Sequence, residues 1–205
     1  MFRFFKNIFN TVIILLAFVG LFTLLKPHLN FDTVNSISNI FSLNKEKVKE
    51  DVGDFSKIDE EFKIDKAVNV LGYKTVVAKH TNSGQKMIII DSGEKTILKT
   101  SDLTEEIIKE RINEMCKKFK YENLNVENIK ITSQGYMKAY GKAVKYIKFN
   151  AKLSNLPKGD ISGIISVVDE NTTKQKLIIS INDNKHYSQL ITTEFYKNVN
   201  ETKSR

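Results

Sequence analysis

The hydrophobic positions of this chain fall into two regimes. From Ile8 to Leu25 the sequence reads IFNTVIILLAFVGLFTLL, an apolar run without a charge, with Arg3 and Lys6 before it and Lys26-Pro27 after it. Further on, apolar residues alternate with polar ones or recur at helical spacing, the pattern of a folded domain. A helix over the first run rises about 1.5 Å per residue and covers roughly 27 Å, close to a hydrocarbon core of about 30 Å. The run is therefore expected to be a transmembrane helix. A removable secretory signal is its rival, but no small-x-small cleavage site follows. Lys26 and His28 come after the run, and no Lys or Arg then occurs until Lys45. That slight charge bias predicts residues 1–7 in the cytoplasm and the main domain outside, a single-pass protein of the cell membrane.

Residues 26–54 read as a tether, with a charged, helix-compatible stretch at Asn44-Lys-Glu-Lys-Val-Lys-Glu-Asp. From Phe55 the pattern becomes that of strands. Tyr73 to Asp91 predicts a hairpin around the turn signal Thr81-Asn-Ser-Gly84, and Thr96-Ile-Leu-Lys a further short strand. Leu103, Ile107, Ile108, Ile112, Met115 and Phe119 share one helical face, opened by Asp102 with Glu105 three residues on. A second strand series follows, with Val126 to Ser133, a turn region from Gly135 to Gly141, and Lys142 to Leu153. Ser162 to Asp169 and Gln175 to Asn182 form another hairpin, apolar on both faces and so expected at the centre of the sheet. Tyr187, Leu190, Ile191 and Phe195 mark a closing helix capped by Asp183 or Asn184, and residues 199–205 read as a polar tail. The fold class is α+β, one domain over residues 55–198.

Charge and cysteine content narrow the chemistry. The chain carries 32 Lys+Arg against 24 Asp+Glu, a formal charge of +8. Its lysines are dispersed, which favours solubility over a dedicated polyanion surface, although an anionic lipid or polyanion partner stays open. Nothing points to a specific nucleic acid. The single cysteine, Cys116, excludes an internal disulfide framework and any cysteine-rich metal site. The bias towards Asn, Lys and Ile suits an AT-rich bacterial genome.

No nucleophile elbow, zinc-protease or phosphate-loop pattern occurs. His28, His80 and His186 lack metal-ligand spacing and read as surface residues, and Ser83-Gly84 and Ser92-Gly93 read as turns. The acidic run Asp59-Glu60-Glu61 reads as solvated charge. No catalytic, cofactor-binding or metal residue is assigned, and no cofactor is implied. An envelope hydrolase would require Asp91, His80 and a carboxylate to face one cleft. One cluster suggests a binding surface: Gly135-Tyr-Met-Lys-Ala-Tyr-Gly-Lys mixes aromatics with lysines, naming Tyr136, Lys138, Tyr140 and Lys142.

The passage Gly135-Tyr-Met-Lys-Ala-Tyr-Gly-Lys-Ala-Val-Lys-Tyr-Ile-Lys-Phe resembles the glycine-led entry into the central strands of the PsbP-like family. Lys176-Leu-Ile-Ile-Ser-Ile, through Tyr187 to Phe195, resembles that family's last strand and packed helix. The resemblance spans roughly residues 55–198 and implies an α/β/α sandwich, an antiparallel sheet with helices packed on it. It also implies an accessory or binding module and leans away from an enzyme. The expected function is thus a non-catalytic binding or assembly module in the envelope, tethered by Ile8–Leu25 to the lipid bilayer and engaging a protein partner. The alternatives are a bitopic secretion-apparatus subunit with a nuclear-transport-factor-like domain, and a hydrolase without a recognisable motif.

Overall fold

A computed structural model describes residues 45–70, 73–93, 103–118, 126–154, 160–169 and 174–202. The run Ile8–Leu25 and most of the tether lie outside these residues, as do Asp102, Phe119, the strand expected at Thr96–Lys99 and the turn at 170–173. Among the described residues no helix is long and apolar enough to cross a membrane.

Helix α1 (Lys45–Val52) comes first, followed by β1 (Phe62–Val70), β2 (Tyr73–His80), β3 (Lys86–Asp91) and α2 (Glu105–Lys118). Strands β4 (Val126–Ala139), β5 (Lys142–Leu153), β6 (Asp160–Val168) and β7 (Lys176–Asp183) precede α3 (Gln189–Asn198). All seven strands form one sheet in the order β1-β2-β3-β7-β6-β5-β4, and every neighbouring pair is antiparallel. The α+β class is as expected. Two-sided apolarity placed β6 and β7 inside the sheet, and they lie there: every residue of Lys176–Asn182 is buried. Gly163 shows how tight this centre is, because a Cβ there would come within 2.6 Å of the Ser180 carbonyl oxygen and 2.8 Å of Phe149.

One face of the sheet is covered by α1 and α3. Val48, Val52, Phe195 and Tyr196 pack there with Val76, Ala78, Met87, Ile89, Ile164 and Ile178. The register puts Val77, Ile88, Ile90, Ile147, Phe149, Leu177, Ile179 and Ile181 on the opposite face, and all are buried. Helix α2 lies along the start of β4, where Asn113 accepts from the Val126 N–H and Glu105 from the Ile131 N–H.

The folded unit begins before Phe55. The stretch read as the end of the tether is α1, an eight-residue helix anchored by only two apolar side chains, Val48 and Val52, both buried. At the other end, Val199 is fully buried and Asn200 pairs in backbone register with Asp54, so residues 199–202 are part of the fold and not a free tail.

The closing helix also starts differently. Its cap is Ser188, whose hydroxyl accepts from the Ile191 N–H, and Asp183 instead closes the preceding turn onto His186. A buried amide holds this helix down. Gln85, with no exposed surface, donates from Nε2 to Ser180 Oγ, Thr192 Oγ1 and the Ser188 carbonyl, each at 2.9 Å, and accepts from the Ser188 N–H at 2.8 Å. One turn further along, the buried Tyr196 hydroxyl donates to the Ile179 carbonyl at 2.6 Å and accepts from the Ile88 N–H at 3.2 Å.

Candidate functional site: a basic sheet edge

Strand β4 is the longest in the sheet and ends it on one side. The sequence suggested a turn from Gly135 to Gly141, but β4 continues through Gly135 to Ala139, and only Tyr140-Gly141 turns. Both turn residues have positive φ, 52° and 74°, the geometry that joins two twisted antiparallel strands with a two-residue loop. A tyrosine in that region is costly. Here the cost is offset by burial, by the Tyr140 hydroxyl donating to the Val52 carbonyl at 2.9 Å, and by Lys176 Nζ lying 4.7 Å from the ring centre. Burial, with Glu201 and Asp91 adding like-signed charge, holds the Tyr140 phenol well above its ordinary pKa.

Tyr140 therefore leaves the surface cluster proposed from the sequence and serves as a latch for α1. The others separate too. Lys142 is neutralised by Asp169, its Nζ lying 2.8 and 2.9 Å from the two carboxylate oxygens. Tyr136 and Lys138 remain together on β4, both exposed, with Tyr136 at 75%. They share one sheet face because they are two residues apart, while Met137 and Ala139 between and beyond them are buried in the α1/α3 core.

Two neighbours complete the edge. Lys145 pairs in register with Tyr136 across β4 and β5, which brings a second lysine to the aromatic ring. On the other face, Gly135 leaves room for the ring of Tyr146, whose hydroxyl would lie 2.8 Å from any Cβ at residue 135. Gln189 Nε2 donates to that hydroxyl at 2.7 Å, fastening the start of α3 to the β4 edge. The next residue is Leu190, 83% exposed, which the sequence had placed on the packed face of the helix. Tyr136, on the β4 edge, and Leu190, which follows Gln189 in the first turn of α3, are the large hydrophobic side chains left exposed among the described residues.

The electrostatics point the same way. Between Glu127 and Asp160 the chain has no acid and seven lysines: 130, 138, 142, 145, 148, 152 and 158. Lys142 is paired with Asp169, Lys152 with Glu127, and Lys148 lies 5.6 Å from the Tyr187 ring centre. Among the described residues Lys130, Lys138 and Lys145 have no ion-pair partner. The dispersal of lysine over the whole chain hid this acid-free window, which was readable in the sequence.

Among the described residues the histidines form no second site. His80 is buried, against the surface position expected, while His186 is exposed and His28 lies outside the described residues. His80 Nδ1 accepts from the Ser83 N–H and hydroxyl, at 3.2 and 2.9 Å, so the ring proton sits on Nε2 and donates to Glu61 at 3.0 Å. This looks like a Ser-His-Glu relay, but Ser83 Oγ already accepts from the Gln85 N–H, the Glu61 carboxylate also accepts from Asn82, and its backbone carbonyl from Thr81. The group is a clamp on the β2–β3 turn, and Glu61 is part of it instead of being free solvated charge. Asp91 sits at the far end of β3, about 20 Å away at strand rise, where it caps Gly93, so the carboxylate–histidine cleft a hydrolase would need is not assembled. No group of His, Cys, Asp and Glu suited to a metal ion occurs among the described residues.

Comparison with known proteins gives a likeness of fold. No family model matches the chain, and no curated protein matches it. Among solved structures it is similar to the solution structure of cyanobacterial PsbP (CyanoP) from Synechocystis sp. PCC 6803, with 10% sequence identity and a TM-score of 0.32, over 67% of this chain and 84% of that one.

Proposed function

We propose that this chain is a non-catalytic binding or assembly module, held at the outer face of a cell membrane by Ile8–Leu25 and presenting the β4 edge to a protein partner in the envelope. The observation that carries the reading is the coincidence at one edge of exposed Tyr136 with the unpaired Lys130, Lys138 and Lys145. Scattered surface apolar residues are ordinary, but an exposed tyrosine is the residue type enriched in interface cores, and lysines without ion-pair partners beside it favour an acidic partner. The anchor gives that edge a fixed address, so that even a weak contact acts at high local concentration.

Affinity isolation of the full-length chain from solubilised membranes, read by mass spectrometry, tests this. Recurrent partners from one complex, in a fraction that resists carbonate extraction, are expected. Recovery in the soluble fraction, or no recurrent partner, would overturn the reading.

A further inference from the structure

Long edge strands are rarely left bare. Their unpaired N–H and C=O groups recruit other strands, and proteins blunt them with prolines, short length, bulges or charges, of which β4 uses register shifts near its start and the lysines Lys130 and Lys138. Strand β4 runs fourteen residues and holds no proline, and its Ser133–Lys138 half carries exposed Ser133, Gln134, Tyr136 and Lys138. A register shift between Ile131 and Ser133 ends the stretch that α2 accompanies, so the outer edge beyond it is the part not tied to that helix.

We propose, building on the binding-module reading, that the partner supplies an extended segment that adds as an eighth strand along β4, alternating acidic and apolar residues. The alternation follows from the two sides of the edge. Residues of an added strand that point to the Tyr136 face meet Lys138 and Lys145, positive and without ion-pair partners. Residues that point to the opposite face lie on the side of the Gly135–Tyr146–Gln189 stack, where the Tyr146 ring and the start of α3 offer apolar surface. Main-chain bonds would supply affinity, and the alternate side chains specificity. Charge complementarity selects the segment's acids: Lys130, Lys138 and Lys145 have no ion-pair partner among the described residues, and residues 128–159 contain no carboxylate.

The test uses the full-length chain in neutral phosphatidylcholine nanodiscs and a synthetic eight-residue peptide alternating Glu with Val. Binding is expected, with amide-exchange protection of residues 132–139 and a drop in affinity of about tenfold or more in K138E/K145E. The reversed-charge variant should instead prefer a Lys–Val peptide, which separates loss of recognition from loss of folding. Backbone N-methylation at alternate peptide residues should abolish binding, since it removes the main-chain donors. Equal binding of the N-methylated peptide, protection elsewhere on the domain, or absence of binding would overturn strand addition. So would tighter binding of polyphosphate, which has charge but no peptide backbone. Partner recovery from membranes together with failure here would leave the module reading standing and reject only the strand.

Discussion

Replacing Tyr196 by Phe removes one oxygen from the centre of the domain and leaves the packing volume almost unchanged. The ring is fully buried, in edge contact with Phe195 at 5.1 Å between centroids. Its hydroxyl donates at 2.6 Å to Ile179 and accepts at 3.2 Å from Ile88, residues that face each other where β3 meets β7. Phe cannot serve either group, and the site has no exposed surface. Each buried backbone group left short of a partner costs about 1–3 kcal/mol, so the pair should lose roughly 2–6 kcal/mol of folding free energy. That is a large share of the roughly 5–15 kcal/mol typical of a domain. The assay is urea unfolding in mild detergent followed by far-ultraviolet circular dichroism, as the chain has no Trp. Tyr136→Phe is the internal control, since its hydroxyl is on an exposed ring and its loss should change stability by under about 0.5 kcal/mol. Equal midpoints for the two variants, at an unchanged denaturant slope, would refute the role given to the Tyr196 hydroxyl.

Other outcomes follow from the same packing. Gln85→Met keeps the length of the side chain but deletes its bonds to Ser180, Ser188 and Thr192, and should cost about 2–4 kcal/mol while selectively raising amide exchange at the start of α3. Gly163→Ala should prevent accumulation of folded protein, judged by soluble yield and thermal melting, because its methyl would meet the Ser180 backbone. Burial pushes the Tyr187 phenol up to about 12 and the Tyr140 and Tyr196 phenols well above their ordinary value of 10.0. The unfolded chain therefore releases these protons first: stability from these groups is fully present below about pH 10 and is lost as pH rises through the folded-state values. Urea midpoints measured across that range should fall, less steeply in Tyr187→Phe, and a flat profile would contradict the burial of these hydroxyls.

Strong local signals carried much of the fold. Thr81-Asn-Ser-Gly84 named its hairpin because Gly84 takes φ 74°, and β6 and β7, with apolar residues on both faces, fit only between neighbours. Signals that depend on distant parts of the chain were harder. Lys45–Val52 shows just two apolar residues in a charged run, and only the sheet decides that both are buried. Gly135 reads as a turn residue until Tyr146, eleven positions later, is seen to need the space above it. Tyr140 and Leu190 exchanged their expected places: the first went inside because Val52 offers a carbonyl, and the second stayed outside because the register of α3 is set by Gln85 and Tyr196. The polar trio Gln85, Ser180 and Thr192 gives no sequence sign of being core, since each is buried only by bonding to the others. Of the candidate surface residues read from the sequence, Tyr136 and Lys138 are exposed together on β4, and Lys145 joins them only through cross-strand register, which the sequence does not show.

The central claim is that one edge of the sheet is the working surface. Its most direct test is site-specific photocrosslinking in intact membranes, with the reactive group at position 136 on β4, at position 190 on α3, or at position 63 on β1, the opposite edge. Positions 136 and 190 should capture the same envelope partner and position 63 should not. Capture at 63 alone, or equal capture at all three, would contradict a dedicated β4 edge.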